Sequence, residues 1–292
     1  MTHRLIGKVP TGMILVPPRA TENRDIDYQS QIELLQDLKE KNIVIPIGFD
    51  VNGYWLIGAE VDDFTLEYAN LLIVEYFPPI MDRYGEREQL LVKETVNKLL
   101  TRLEPYKEKV YAVSLGSDNN GKWGYRYSLI SADFPFKKYR EDVMTIAHGR
   151  GYKILWGVTT LNTGPCLQNR PSGETWDEMK KALDENLASG VDFPSIQYYP
   201  IDSRVRTEKQ EVENLQSILK YIRSKNIEPT LFEFGICKRD SNFDSVLYAQ
   251  LLKEMLIQEK ILSSWFYTLY DHRGGLYWGN GIWNPVKYVF YP

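Results

Sequence analysis

The chain has 292 residues, of which 43% are hydrophobic, and its 35 basic and 39 acidic side chains give a net charge of −4. No basic run indicates binding to nucleic acid or an anionic membrane, and no apolar stretch approaches the roughly 20 residues of a membrane-spanning helix. The three histidines form no HxH or HExxH pattern, which argues against a zinc site built on histidines.

Short β-rich runs alternate with amphipathic helical stretches along the whole chain. The predicted strands are Met13–Pro17, Ile43–Phe49, Leu71–Phe77, Lys109–Gly116, Tyr152–Thr159, Phe193–Tyr199, Thr230–Phe234 and Ser264–Tyr270. The predicted helices are Asp27–Lys41, Val61–Tyr68, Glu86–Leu103, Pro135–Gly149, Glu174–Leu187, Thr207–Ser224 and Phe243–Gln258.

This alternation predicts an α/β fold. Near-continuous apolar strands between amphipathic helices indicate a parallel sheet whose outer face is covered by helices. Eight such units match a closed (β/α)₈ barrel, which we expect to occupy residues 1–292 as a single domain. The alternative is an open doubly wound sheet, but no strand is followed by a GxGxxG or GxxxxGK loop.

Polar side chains cluster just after the predicted strands. They include Asp50, Glu75, Asp118, Asn119, Gln197, Glu233 and Asp271. In a (β/α)₈ barrel the carboxyl ends of all strands meet at one face, where the active sites of this fold lie. We therefore expect these side chains to surround one pocket.

Glu233 interrupts a short apolar run, Pro229–Gly235. An ionised carboxylate away from water requires partners or shifts its pKa, so such a residue is a candidate functional group of an active site. The alternative is a structural charge paired at the end of a strand. The predicted barrel sets Glu233, after strand 7, across the mouth from Asp118, after strand 4. Glycoside hydrolysis requires two opposed carboxyl groups, one as acid/base and one as nucleophile or base.

The motifs around these residues resemble those of the retaining (β/α)₈ glycoside hydrolases of the cellulase, mannanase and β-galactosidase clan. Glu233-Phe234-Gly235 is similar to the Glu-x-Gly context of the clan's nucleophile at the end of strand 7. Ser117-Asp118 stands where the clan carries its Asn-Glu acid/base pair after strand 4. Tyr199 follows strand 6, where a Tyr often hydrogen-bonds the nucleophile. Trp265–Asp271 also resembles the clan's strand 8 and the loop after it.

The resemblance implies that Glu233 is the nucleophile and that Tyr199 orients it. Asp118 is the first candidate for the acid/base, and Glu75 on the neighbouring strand is the second. The implied hydrogen-bonding partners of sugar hydroxyls are Gln197, Asn119 and Asp271, and Asp50 replaces an Arg that many members carry after strand 2. The implied stacking residues are Trp265, Tyr267 and Trp156. The resemblance implies an oligo- or polysaccharide substrate and no cofactor.

The substitution of Glu by Asp118 leaves three outcomes open. The loop can move inward and preserve retention, the gap can admit a water and give inversion, or the barrel can serve mainly for binding. A carbohydrate-binding or assembly module is therefore the rival hypothesis. A phosphate-handling enzyme is a weaker alternative, because only Arg273-Gly274-Gly275 suggests an anion site after strand 8.

The two cysteines, Cys166 and Cys237, are interpreted as buried thiols rather than a disulfide. They and the absence of an apolar leader favour a cytoplasmic protein, whereas a polysaccharide substrate favours an extracellular one. The sequence leaves the location open, together with the oligomeric state.

Overall fold

A computed structural model describes residues 5–6, 9–15, 27–49, 52, 55–57, 63–78, 81, 83–114, 135–159, 176–198, 207–235, 243–259, 261, 263–266, 277–279 and 282–291. Its strands are β1 (Leu5–Ile6), β2 (Val9–Ile14), β3 (Asn42–Phe49), β4 (Trp55–Ile57), β5 (Leu71–Phe77), β6 (Val110–Ser114), β7 (Ile154–Thr159), β8 (Phe193–Tyr198), β9 (Thr230–Phe234), β10 (Ser263–Phe266), β11 (Tyr277–Gly279) and β12 (Ile282–Trp283). Its α-helices are α1 (Tyr28–Leu38), α2 (Asp63–Tyr68), α3 (Glu86–Leu103), α4 (Phe136–Gly149), α5 (Trp176–Ala188), α6 (Glu208–Ser224), α7 (Ser245–Glu259) and α8 (Lys287–Phe290), and a 3₁₀ helix spans Glu104–Lys109.

Eight parallel strands close into a barrel, which confirms the predicted (β/α)₈ fold. Their order around the barrel is β2, β3, β5, β6, β7, β8, β9 and β10, and the circle closes because β2 pairs with both β10 and β3. Two short strands extend this sheet in antiparallel fashion, β1 beside β2 and β4 beside the end of β3. Since β5 and β9 lie four places apart in a ring of eight, they face one another across the barrel.

The first barrel strand differs from its predicted bounds. It covers Val9–Ile14, whereas the sequence favoured Met13–Pro17, of which residues 16 and 17 lie outside the described part. The segment contains Pro10 and Gly12, and both residue types disfavour the prediction of a strand. Gly12 is nevertheless required there, for a packing reason given below. The other seven strands overlap their predictions, and Leu71–Phe77 and Thr230–Phe234 match them at both ends.

The long helix α3 has one face against the barrel and one in solvent. Val92, Val96 and Leu99 are fully buried, as the 3.6-residue period predicts. Leu90 is apolar as well, but its side chain is 57% exposed. Helix geometry explains the difference, because Leu90 precedes Val92 by two positions and this rotates it by about 200° to the opposite face.

Side chains cap the helices that follow two of the loops. The Asp27 carboxylate accepts a hydrogen bond from the Ser30 backbone N–H at 2.8 Å at the start of α1, and this and the Ser30 hydroxyl lower the pKa of Asp27. At the start of α6, Thr207 and Gln210 form a reciprocal capping box. These local signals fix where the helices begin and so where the preceding loops end.

A buried carboxylate ties the two ends of the fold together at the start of β3. Glu40 is 1% exposed and accepts hydrogen bonds from the backbone N–H groups of Lys41 and Asn42 and from the Tyr291 hydroxyl at 3.0 Å. Tyr68 in turn donates to the Glu40 carbonyl at 2.8 Å. These donors stabilise a charge that burial alone would penalise.

Two hydrophobic layers surround the strands. The outer core, between strands and helices, contains residues such as Val74, Leu99 and Leu219. The inner core fills the barrel and, among the described residues, consists of Ile14, Val44, Ile73, Ala112, Leu155, Phe232 and Trp265. Membership of one layer or the other shows which way each strand side chain faces, and this orientation defines the candidate site.

Candidate active site

The strand β5 directs alternate side chains into the barrel. Leu72, Val74 and Tyr76 belong to the outer core, whereas Ile73 belongs to the inner core. The pairing of β5 with β3 is regular from Asn42–Leu71 to Gly48–Phe77, so the alternation is unbroken. Glu75 and Phe77 therefore lie on the inward face, toward the carboxyl end of the strand.

Glu75 is a buried carboxylate in the upper half of the barrel. It is 5% exposed, and its neighbours in register are Pro46 on β3 and Ser114 on β6, both uncharged. Burial of a carboxyl group needs a reason, either a network of partners or a chemical task. Of the two candidates for the acid/base, Glu75 is the one whose side chain the structure describes.

The backbone of Glu233 lies at the same end of the barrel. Its Cα pairs with that of Gln197, and the register shifts between Ile196 and Gln197, so β9 carries an extra residue at this point. Such a bulge re-aims the side chains that follow it and is frequent beside active sites. The side chain of Glu233 lies outside the described part of the structure.

Gln197 faces the barrel interior from β8. The residues on either side of it, Ile196 and Tyr198, are in the outer core, and Gln197 itself is 1% exposed. The alternation therefore directs Gln197 inward, next in register to Glu233. An amide can donate to and accept from hydroxyl groups, and the expected role of Gln197 toward sugar hydroxyls stays a prediction.

Behind Gln197, a buried hydrogen-bond network holds the end of β8 against α6. The Tyr198 hydroxyl donates to the Glu211 carboxylate at 2.7 Å and accepts from Asn214 at 3.1 Å. Tyr198 and Glu211 are both fully buried, and desolvation raises the pKa of Tyr198 well above its ordinary value. The network fixes the strand end that precedes Tyr199, the residue expected to orient the nucleophile.

Trp265 fills the opposite end of the barrel. Its ring centroid is 6.2 Å from that of Tyr111, which stacks on Phe193 at 4.7 Å. A Cβ at Gly12 would lie 2.3 Å from the Trp265 ring and 2.7 Å from the Asn42 carbonyl oxygen, which explains the glycine in β2. Asn42, Tyr111 and Phe193 stand at the starts of their strands, so the fully buried Trp265 closes the amino-terminal floor.

Trp156 faces away from the barrel interior. It belongs to the outer core, 6.4 Å from the Tyr139 ring between centroids and beneath the Arg140 guanidinium at 5.7 Å. Its exposed fraction is 2%. The expectation that Trp156 and Trp265 stack on sugar rings is therefore corrected, because helix α4 covers one ring and the barrel floor encloses the other.

Several predicted site residues lie outside the described residues. They are Asp50, Asp118, Asn119, Tyr199, Tyr267 and Asp271, together with Cys166, Cys237 and Arg273. Their expected roles stay predictions.

Phe77 is an inward-facing aromatic that the sequence analysis did not single out. Its side chain is 37% exposed at the carboxyl end of β5, two residues beyond Glu75. The run Leu71–Phe77 is apolar apart from Glu75, so its composition does not distinguish Phe77. The available signal was the alternation itself, since residues 73, 75 and 77 share one face.

Among the described residues, no group of three or more His, Cys, Asp or Glu side chains is arranged to hold a metal ion. No described helix is long and apolar enough to cross a membrane.

No protein-family model matches this chain, and no curated protein matches it in sequence. Solved structures do match it. ZgEngAGH5_4 in complex with a cellotriose aligns with a TM-score of 0.65 at 15% identity, over 98% of this chain and 96% of that one. Cel5A of Thermotoga maritima in complex with mannotriose aligns with a TM-score of 0.62 at 12% identity, over 99% and 98%.

The cellulose synthase subunit Z of Clostridioides difficile also aligns, with a TM-score of 0.57 at 11% identity, over 97% of this chain and 98% of that one. At identities this low, the structural alignments establish the fold alone and leave the roles of individual residues open. The chain therefore has the (β/α)₈ barrel fold of these solved structures, as the alternation of predicted strands and helices indicated.

Proposed function

We propose that this protein is a glycoside hydrolase that cleaves a β-linked oligo- or polysaccharide with two carboxyl groups. Glu233 is the nucleophile, and Asp118, or alternatively Glu75, is the acid/base. The observation that supports this best is the register of β8 and β9, which pairs Glu233 with the inward-facing Gln197 at the carboxyl end of the barrel. The buried carboxylate of Glu75 on the strand opposite supports it further.

The proposed reaction has two steps. The Glu233 carboxylate attacks the anomeric carbon while the acid donates a proton to the glycosidic oxygen, so the carbon–oxygen bond breaks and a glycosyl ester forms. The same residue, now a base, takes a proton from water while the water oxygen attacks the anomeric carbon, so the bond to Glu233 breaks, the sugar is released and the Glu233 carboxylate is restored. An enclosed site suits this division of labour, because it can separate the pKa values of two carboxyl groups.

The stereochemical outcome depends on which residue supplies the acid. Retaining enzymes hold the carboxyl groups about 5–5.5 Å apart, and inverting ones about 6.5–9.5 Å. Asp118 replaces the clan's Glu with a side chain one methylene shorter, which increases the gap unless its loop lies further inward. Analysis of the product anomer therefore reports the distance between the two carboxyl groups. Retention indicates the shorter distance and inversion the longer one. In the inverting case, Glu233 acts as a base that takes a proton from the attacking water.

The remaining residues bind and orient the sugar. Tyr199 holds Glu233, while Gln197, Asn119 and Asp271 hydrogen-bond hydroxyl groups. Asp50 adds a polar contact after β3, and Tyr267 offers an aromatic face after β10. The structural neighbours in complex with a cellotriose and a mannotriose suggest these two trisaccharides as first ligands to test.

The test is hydrolysis of a panel of aryl β-glycosides by the native chain and by Glu233→Gln. Activated leaving groups need little help from the acid, so they report the nucleophile even if Asp118 is poorly placed. We expect Glu233→Gln to lower kcat/KM by at least roughly 10³-fold. The matched control is Glu228→Gln, an exposed carboxylate just before the amino-terminal start of the same strand, which should keep native activity.

Native turnover by Glu233→Gln would remove the nucleophile assignment. A glycosidase function is excluded if the native chain turns over no member of the panel and no β-linked polysaccharide, and the anomer analysis then has no product to examine.

The second candidate function is carbohydrate binding or assembly on a catalytically impaired barrel. Two observations favour it: Ser117-Asp118 departs from the Asn-Glu motif, and one structural neighbour is a cellulose synthase subunit. Measurable binding of a trisaccharide without turnover of any glycoside would support this candidate over hydrolysis.

A further inference from the structure

Phe77 exposes an aromatic ring at the mouth of the barrel. At 37% exposure it differs from the other barrel-interior aromatics of the described chain, since Phe232 and Trp265 are fully buried and Tyr111 and Phe193 are partly buried against them. Large aromatic side chains are usually at least partly buried, and an exposed one beside buried polar groups at the end of a barrel strand is a candidate contact for a ligand.

One neighbour of Phe77 in the sheet is a glycine. Its partner in register on β3 is Gly48, which has no side chain. Gly48 lies on the inward face as well, because Ile47 and Phe49 belong to the outer core and Val44 to the inner core. The strand β4 pairs with β3 at Gly48 and Phe49, so the sheet is extended at this point.

The position of Phe77 relative to Glu75 is set by the strand. Two residues of a parallel strand span about 6.6 Å, and both side chains point to the same side. A group bound on Phe77 therefore lies further out of the barrel than a group held at Glu75. A sugar ring that meets Phe77 is then a neighbour of the ring whose bond is cleaved.

We propose that Phe77 is a stacking platform for a sugar ring adjacent to the cleaved bond. This inference rests on the proposed function. The apolar C–H face of an equatorially substituted pyranose matches the flat, partly exposed phenyl ring. Phe77 contributes binding and specificity, while the carboxyl groups carry out the chemistry.

The experiment measures binding of cellotriose and mannotriose by calorimetry in the Glu233→Gln protein, which cannot consume them. We expect Phe77→Ala to raise the dissociation constant of the better ligand about tenfold, because the exposed apolar area of the ring no longer becomes covered. Phe77→Trp should retain or tighten binding, and Phe77→Leu should behave more like Phe77→Ala, since it keeps hydrophobicity without a flat ring.

The matched control is Phe64→Ala. Phe64 is a comparably exposed phenylalanine, at 43%, on helix α2 outside the barrel mouth. Its removal should leave the dissociation constant unchanged. The thermal midpoint of each variant shows that the comparison is made between folded proteins.

A second readout uses the active chain. Phe77→Ala should raise KM for a trisaccharide substrate about tenfold and change kcat much less, because stacking holds substrate and transition state alike.

The outcomes separate the two proposals. Binding or turnover of a trisaccharide that Phe77→Ala leaves unchanged overturns the platform and leaves the proposed function standing. A native chain that neither binds nor cleaves any β-linked sugar overturns both. A tenfold loss in Phe77→Ala with native behaviour in Phe64→Ala supports the platform, with or without catalysis.

Discussion

The two ends of the barrel interior are built from the same strands but contain opposite chemistry. At the amino-terminal end, Trp265, Tyr111 and Phe193 form an aromatic floor so tightly packed that β2 needs a glycine. At the carboxyl end, the inward positions are Glu75, Gln197 and the backbone site of Glu233. Close packing of side chains stabilises the amino-terminal end. The carboxyl end instead buries polar groups, which lowers stability, and it is the end at which the active sites of this fold lie.

The largest effect is expected at the floor. Gly12→Ala places a Cβ 2.3 Å from the Trp265 ring and 2.7 Å from a backbone oxygen, so the strands must separate. We expect a loss of about 3 kcal/mol or more in the free energy of unfolding, measured by denaturant titration. Gly149→Ala is the control, because nothing lies within 4 Å of its added Cβ, and in α4 it should be neutral or slightly stabilising. Equal stability of the two variants would contradict the tightly packed floor.

The polar end should respond to charge rather than to volume. We expect Asp118→Asn to lower kcat/KM about 10²–10⁴-fold for substrates with poor leaving groups and far less for activated aryl glycosides. Glu75→Gln should have the smaller effect on rate. The reverse order of the two rates would make Glu75 the acid/base.

On the outer side of the polar end, the Tyr198–Glu211 contact joins the end of β8 to helix α6. Tyr198→Phe removes a donor to the buried Glu211 carboxylate, so we expect a loss of about 2 kcal/mol in the free energy of unfolding. Tyr248→Phe is the matched control. Tyr248 is equally buried, but its hydroxyl has no hydrogen-bond partner among the described residues, so its removal should change stability little. A similar loss in both variants would mean that the Glu211 contact contributes nothing specific.

The smallest effect is expected at the amino-terminal edge, where Tyr68 donates to the Glu40 carbonyl. Desolvation, and secondly the Glu40 charge, raise the pKa of Tyr68 to about 12. A raised pKa favours the protonated folded state. Its contribution to stability is therefore complete below the unfolded value of about 10, and it is lost as the pH rises from about 10 to 12.

Tyr68→Phe should accordingly lose about 1 kcal/mol at neutral pH, and its free energy of unfolding should fall less steeply than that of the native chain between pH 10 and 12. Denaturant titrations at each pH measure this difference. Tyr288→Phe, at a residue 64% exposed, serves as the control and should follow the native curve. Parallel curves for Tyr68→Phe and the native chain would exclude the linkage.

Much of the fold could be predicted from local pattern. The strand Leu71–Phe77 and the helix Glu86–Leu103 follow from runs of apolar residues with the right length and period, and these depend on neighbours within a few positions. The inward orientation of Glu75 follows from the same two-residue alternation. The site was predictable to the same extent: the sequence indicates which polar residues follow strands, because the end of an apolar run is a local signal.

The amino-acid pattern by itself thus determined eight strands, the helices between them and the acidic residues that follow several of the strands. Only the tertiary structure decided that β2 joins β10 and β3, that a bulge precedes Glu233, and that Trp265 and Trp156 are packed away from the mouth. The physical reason is that closure, register and the filling of the barrel depend on contacts between residues far apart in the chain. A tryptophan in an apolar strand has the same local signature whether it lines a floor, an outer layer or a binding cleft.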